Sequence, residues 1–527
     1  MCGICGIFFR EKNQWDHSSI LRMCAKIRHR GPDDEGIYTD PLAHLGMRRL
    51  NIIDLETGHQ PIHNEDKTVW TVFNGEIYNF PDLRKALINK GHRFYTLADT
   101  EVIIHLYEEY EEDFIKHLRG MFAIALWDTK TKSGYLVRDR LGIKPLYYTK
   151  TPLGIVFGSE IKTILEAPVT SAEMDISSLN DYITFGYIPE PKSIFKNIHK
   201  LSPGTFLKIQ HGDVKERCYW KLSDFAPEKD YGESYYLEGI LEQIREAVKI
   251  RLISDVPLGA FLSGGIDSSM VVAIMSELLD KPVKTFTIGF DETVFDETGY
   301  ARTSASHFGA EHHELVVRPD FITMIDDISY ILDEPFADQS VIPTYYVSRL
   351  AREKVTVVLS GDGGDELFGG YETYIWALKE KRYNWFPYTL KTLLRGISQI
   401  MPYGFYGKNY LEHIALNNEE RFINSISTSI QFKKRLFSND FIKRLTSLDN
   451  SGIFHNYLNE IDGRDFIDKI LYLDIKTYLV GDILTKVDRM SMGHSLEARV
   501  PLLDHKLVEF ACKIPASYKI RNMVSKY

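Results

Sequence analysis

The chain has 527 residues, room for two to four domains at roughly 100–200 residues each, and its 44% hydrophobic and 26% charged residues lie near the globular average, which excludes wholesale disorder. With 63 Lys+Arg against 73 Asp+Glu the net charge is −10, without the basic footprint of a dedicated nucleic-acid binder, and no apolar run approaches the roughly 20 residues of a membrane span. The opening MCGICGIFFR has no basic stretch ahead of an apolar one, so no secretory signal is expected, and five cysteines (Cys2, Cys5, Cys24, Cys218, Cys512) without paired zinc spacing fit a reduced cytoplasmic chain.

In chain order, residues 3–9 and 121–127 are apolar runs of strand length. VWTVF (69–73) runs into Asn74-Gly75, a strong turn dipeptide. Ile20, Cys24 and Ile27 recur at helical spacing between Ser18, a good N-cap, and Gly31, a good stop. Strands with short helices over the first 160 residues make an α+β pattern. Pro and Gly punctuate residues 186–204, which places the domain junction there. After about residue 235, VPLGAFL (256–262), VKTFTIGF (283–290) and KVTVVLS (354–360) are buried strands with helical text between them. That alternation implies an α/β doubly wound parallel sheet. From about residue 372 the text is helical, and its aromatics read as core.

Cys2 follows the initiator Met. Removal of Met1 leaves a thiol and a free α-amine on one residue, and an α-amine with a pKa of about 7.7–8.0 can serve as general base for its own thiol. Attack on an amide needs donors for the oxyanion, and Asn74 with Gly75 offers a side-chain amide and a backbone N–H. An amino-acid substrate needs a cation for its carboxylate and an anion for its ammonium, which Arg49 and Asp99 can supply. Singly, each has a plainer reading: a small buried Cys, a hairpin turn, a surface ion pair for Arg49, and an N-cap at Asp99 for a helix over 100–110.

LSGGIDSS (262–269) sits between a buried strand and a helix. Gly264 and Gly265 let backbone approach a ligand, and Ser263, Ser268 and Ser269 add hydroxyls. The helix N-terminus adds N–H groups and a positive dipole end. Asp267 beside phosphates implies an intervening cation, Mg²⁺. A second Gly-rich acidic loop, LSGDGGDELFGGY (359–371), follows another buried strand. In a doubly wound sheet, ligands bind beyond the carboxyl ends of the strands, where both loops fall. The plainer readings are a tight Gly-Gly turn and a solvated acidic turn.

MCGICGIF, RHRGPDDEG (28–36), RRLNIID with GHQP (48–61), FNGEIYN (73–79), ADTEVI (98–103), RDRLGIKPLYY (138–148) and FGSEIK (157–162) resemble, in order, a class II (N-terminal-nucleophile) glutamine amidotransferase domain. The resemblance implies two antiparallel sheets between helical layers over residues 2–205. It implies Cys2 as nucleophile, Asn74 and Gly75 as oxyanion hole, and a glutamine site of Arg49, Leu50, Asn51, Ile52, Ile53, Asn74, Gly75, Glu76 and Asp99. Met47 stands where many relatives have His. SGGIDSS resembles the pyrophosphate loop of ATP pyrophosphatases. With SGDGGDELFGGY and KVDRMSMGHSLEARVPLLDH (486–505), residues 235–527 resemble the synthetase domain of glutamine-hydrolysing asparagine synthetases. That implies ATP contacts from Leu262, Ser263, Gly264, Gly265, Asp267, Ser268, Ser269, Ile288, Ser360 and Gly361. It further implies metal ligation by Asp267 and Asp365, an acidic residue for adenylation at Asp362, and an intermediate facing Glu497 and Arg499. Read without the family, Glu497 and Arg499 are a structural ion pair.

The resemblance implies that glutamine, aspartate and ATP are converted to asparagine, glutamate, AMP and pyrophosphate by a homodimer that passes ammonia internally between its two sites. The text stops at Met523–Tyr527, where relatives continue into helices carrying a lysine near the adenylate. The synthetase half is therefore expected to lack that charge and to expose apolar surface. Two alternatives stand beside this reading: amidation of another carboxylate, such as a cell-surface sugar acid, and a glutaminase-only or non-catalytic remnant. Plain readings suffice elsewhere. EEYEED (108–113) is a solvated helix face, His312-His313 a surface turn, and His29 with Arg30 order a loop near the glutamine pocket.

Overall fold

A computed structural model describes residues 2–12, 15–291, 297–318, 321–402 and 404–527. Alternate residues of a strand face opposite sides, so a strand covered on both sides reads as an unbroken apolar run. β1 (Cys2–Phe9) is such a strand, buried at every position. Its Cys2, Ile4 and Phe8 enter a core between two sheets, and Cys5, Ile7 and Phe9 enter one under α1 (His17–Lys26). Next come β2 (Asp34–Thr39), β3 (Ala43–Arg49), β4 (Ile62–His63) and β5 (Val69–Ile77), then α2 (Phe80–Asn89) and α3 (Glu101–Tyr110). They are followed by β6 (Gly120–Asp128), β7 (Ser133–Arg138), β8 (Tyr147–Thr151), β9 (Gly154–Gly158), α4 (Ile161–Leu165) and α5 (Ile176–Phe185). β10 (Ile198–Lys200), β11 (Thr205–Gln210) and β12 (Asp213–Cys218) close this part.

Two six-stranded sheets result, ordered β10-β8-β9-β1-β3-β2 and β12-β11-β7-β6-β5-β4. Every pairing within them is antiparallel. Apolar residues of α1 cover the first sheet and those of α3 the second, giving the expected helix–sheet–sheet–helix sandwich.

Local expectations change in three places. Asn74-Gly75 is no turn: β5 runs on to Ile77, with Asn74 opposite Ala123 and Gly75 opposite Phe122. α1 is capped by Asp16, whose side chain accepts from the Ser18 N–H, and ends at Lys26. The turn-rich 186–204 segment runs inside the sandwich part, because β10, β11 and β12 extend its sheets to Cys218.

The second part opens with α6 (Glu233–Ile250) and β13 (Leu258–Phe261), followed by α7 (Ile266–Leu278) and β14 (Lys284–Phe290). With β15 (Glu311–Val317), β16 (Val357–Leu359) and β17 (Glu497–Arg499) the strands form a sheet ordered β15-β14-β13-β16-β17, parallel throughout. His312 and His313 therefore lie on a strand rather than a turn, and His312 Nδ1 meets Thr285 Oγ1 at 2.9 Å. Helices dominate 372–493, as expected, and residues 475–483 wind as a π-helix, a rare form concentrated at functional sites. All five cysteines are free. No helix among the described residues is long and apolar enough to cross a membrane.

Candidate active sites

The register of β1 on β3 sets Cys2 opposite Arg49. The packing of the first sheet on the second brings β5 to the same point, where the Cys2 backbone N–H donates to Asn74 Oδ1 at 3.2 Å. Met1, whose removal the chemistry requires, lies outside the described residues. Gly75 has φ 155°, and a Cβ there would come within 2.0 Å of the Met121 carbonyl oxygen, so only glycine fits. Cys2, Arg49, Leu50, Ile52, Ile53, Gly75, Glu76 and Asp99 share one small cavity with Gln60 and Thr100. Asn51 sits beside it, its N–H donating to Asp33 Oδ2 at 2.9 Å.

The polar groups here are buried yet incompletely used. Arg49 Nη2 donates to the carbonyls of Ile53 at 2.9 Å and Asp54 at 2.7 Å. Arg49 Nη1, Asn74 Nδ2, Glu76 Oε2 and Asn51 Oδ1 have no hydrogen-bond partner among the described residues. Such groups are costly unless a ligand completes them. Arg49 is thus no surface ion pair. Nor does Asp99 cap α3, since its Oδ2 accepts from the Ile77 N–H at 2.8 Å. Burial lifts the Asp99 carboxyl to about 6 against that bond. Burial also pushes the Cys2 thiol up, opposed by the Leu50 N–H and Arg49. Glu76 is raised by burial and by the Glu497 and Asp99 carboxylates.

A second opening lies past the carboxyl ends of β13 and β16, a cavity of about 420 Å³, within the roughly 300–1,000 Å³ of common small-molecule sites. Leu262, Ser263, Gly265, Asp267, Ser268, Ile288, Ser360, Gly361, Asp362 and Asp365 face it. Gly264 and Ser269 do not line it: Gly264 has φ 82° and packs on Tyr300, and Ser269 Oγ donates to Ser304 Oγ at 3.1 Å. The two loops touch, because a Cβ on Gly361 would lie 2.7 Å from the Ser268 nitrogen. Burial raises the Asp267 and Asp362 carboxyls, opposed by Lys526 and Lys486 respectively. Lys526 Nζ stands 2.5 Å from Asp267 Oδ2 and 2.7 Å from Asp365 Oδ1. Those two carboxylates thus already converge on one cation, which suits the oxygen donors magnesium prefers.

The family model described as asparagine synthase matches residues 239–527, more than half of the chain. The chain belongs to the asparagine synthase family. Residues 1–220 match a glutamine amidotransferase domain. Glutamine-hydrolyzing asparagine synthetase 1 of Bacillus subtilis is 37% identical over 532 residues, covering 100% of this chain and 83% of that protein. Glutamine-hydrolyzing asparagine synthetase 3 of the same organism is 31% identical, covering 99% and 82%. Amidase chry2 of Gibberella zeae is 32% identical, covering 94% and 78%.

In this member of the asparagine synthase family the two openings are joined by buried charge. Glu497 and Arg499 on β17 do not line the large cleft; they lie between it and the Cys2 cavity. Arg499 Nε donates to Glu497 Oε1 at 2.5 Å, and its Nη2 lies 3.7 Å from Glu76 Oε2. The Arg499 backbone carbonyl accepts from Ser360 N at 2.9 Å. Arg30, fully buried, donates to Glu160, to both oxygens of Asp488 and, at 3.3 Å, to the Cys2 carbonyl. It therefore orders more than a loop.

Sequence reasoning passed over Gln60, Lys486 and Lys526. Gln60 Oε1 accepts from Phe73 N at 2.7 Å, one residue before Asn74, and its signal was the GHQP text. Lys486 donates to Asp338 and Ser340 from the cleft wall. Lys526 had no local signal, since it meets Asp267 only through the fold; it puts a lysine charge in the cleft where the sequence leads to the expectation of none.

Proposed function

We propose that this ligase of the asparagine synthase family hydrolyses glutamine at Cys2 and uses the released ammonia to amidate aspartate activated with ATP. Aspartate, glutamine, ATP and water would give asparagine, glutamate, AMP and pyrophosphate. The observation that carries the first half is the set of unsatisfied buried groups around Cys2. In that role Asn74 and Gly75 hold the oxyanion, Arg49 the substrate carboxylate, and Asp99 with Glu76 the ammonium. The Cys2 thiol attacks the amide and its own α-amine takes the proton.

In the cleft, the Ser263–Ser269 loop and the α7 N-terminus are proposed to cradle the phosphates of ATP, with Ser360, Gly361, Leu262 and Ile288 around the nucleotide. AMP is the leaving group that lets ammonia displace oxygen from a carboxylate. Asp267 and Asp365 would hold magnesium, which when bound offsets phosphate charge. Asp362 would act at adenylation, and Glu497 with Arg499 would close the route between the sites. We assign the glutaminase unit to residues 2–205, with β11 and β12 attached to it, and the synthetase unit to 235–527. A cytoplasmic homodimer is the expected form, supported in its compartment by five free thiols.

A second reading keeps both half-reactions and changes the acceptor to another carboxylate; the similarity to Amidase chry2 favours testing it. The deciding experiment supplies purified protein with glutamine, ATP, magnesium and a panel of carboxylates. Aspartate-dependent pyrophosphate and asparagine are expected. Pyrophosphate released only with another acid would select the second reading, and none with any acid would sink both.

A further inference from the structure

The acidic run at 108–113 is not simply a solvated face. Glu108 joins Glu65, His92 and His105, and one ligand atom from each lies within 4.8 Å of all the others. Three segments of the chain supply them: the turn between β4 and β5 (Glu65), the residues after α2 (His92), and two positions three apart on α3 (His105 and Glu108). We propose that these four residues form a structural site for a divalent transition metal of the zinc class.

Three observations carry this. First, the spacing fits. Zinc holds nitrogen and oxygen at about 2.0–2.2 Å in a tetrahedron, so its ligand atoms sit about 3.3–3.5 Å apart. His105 Nδ1 lies 3.0 Å from Glu108 Oε2 and 3.7 Å from Glu65 Oε2. His92 Nδ1 lies 3.5 Å from Glu108 Oε2. Second, the donors suit the ion: two imidazoles and two carboxylates leave a dication neutral.

Third, three of the four ligands are hydrogen-bonded from behind and the fourth, His105, has a carboxylate behind its ring, as metal ligands do. His92 Nε2 faces Glu109 Oε1 at 3.1 Å, and Nε2 of the fully buried His105 faces Glu101 Oε1 at 3.6 Å. Glu65 Oε1 accepts from the Arg93 N–H at 2.8 Å, and Glu108 Oε1 from Asn64 Nδ2 at 2.7 Å. A set of four protein ligands is closed to substrate, so its role is to fasten α3 to the β4–β5 turn and the end of α2. α3 begins two residues after Asp99, which ties the staple to the glutamine cavity only through position.

The test uses the full chain, stripped with EDTA, reloaded with Zn²⁺ in excess Mg²⁺, desalted and assayed by mass spectrometry for metal. About one zinc per chain is expected in wild type and in Asp365→Asn, with a raised melting temperature. His92→Gln should bind at least about 10-fold more weakly and show no such rise, and the same loss is expected for His105→Ala. Circular dichroism and gel filtration establish that the variants fold; His92→Gln, at a position less buried than His105, is the variant that decides if His105→Ala does not. Loss of zinc from Asp365→Asn, equal retention by His92→Gln, or no zinc on wild type overturns the proposal. With Co²⁺, the intense visible absorption of a tetrahedral site should appear in wild type and vanish in His92→Gln.

Discussion

Asp99 carries the sharpest consequence of burial. Its carboxyl titrates near 6, lifted by desolvation, and it must be ionised to hold an ammonium. Glutamine hydrolysis measured as kcat/KM, which reports the free enzyme, should therefore show, below the limb of the Cys2 α-amine at about 7.7–8.0, a second fall as pH drops through about 6. Asp99→Asn should remove that second fall and raise KM by about 10–100-fold, since a hydrogen bond to a charged group contributes roughly 1.5–3 kcal/mol. A pH profile unchanged by the substitution would take Asp99 out of the binding site. Taken singly, without the family resemblance that puts it in the glutamine site, this residue reads as a helix cap, because Asp before an apolar helix is the usual signal. Only the tertiary bond from the Ile77 N–H reveals that the carboxylate turns the other way.

At the scale of elements, Gly75 shows how a correct residue can carry a wrong local inference. The Asn-Gly pair advertises a turn, yet here glycine is needed because the neighbouring strand's carbonyl at Met121 leaves no room for a Cβ. Gly75→Ala must push β5 from β6 and move Asn74. Glutamine hydrolysis should drop by about 10²–10³-fold, the usual cost of a lost oxyanion donor, while the ammonia-dependent reaction persists; steady-state rates with each nitrogen source separate the two. The strands themselves were legible, because β1 and β6 bury both faces and so read as nearly unbroken apolar text, and β13 and β14 carry apolar runs of strand length. The Gly-rich loops were legible because their chemistry is contiguous. Lys526 and the Glu65–His92–His105–Glu108 cluster were not, because their partners arrive from distant segments.

For the whole molecule, Asp504 is the clearest clamp. It takes Arg119 Nη2 from the sandwich at 3.0 Å and Arg251 Nη1 from the parallel-sheet part at 3.0 Å. Burial opposes its charge, but Arg251 and Arg119 hold the carboxyl well below the ordinary range. Its contribution is thus present above the ordinary carboxylate value of about 3.9 and lost as pH falls through the depressed one. Asp504→Ala leaves the buried Arg251 guanidinium without its carboxylate and Arg119 with only Glu246 at 3.6 Å, and should destabilise by roughly 3–5 kcal/mol, read by denaturant unfolding. If Cys2 and the cleft act separately, Cys2→Ala should abolish the glutamine-dependent reaction and spare the ammonia-dependent one. Loss of both would contradict a division of labour.

Arg499 has two addresses. Its guanidinium looks toward Glu76, and its carbonyl oxygen anchors Ser360 at the mouth of the cleft. Selection acting on one chemistry is obliged to reckon with the other at that position. Chimeras that graft a foreign N-terminal half onto this C-terminal one should succeed only when the donor brings a compatible acid to meet it.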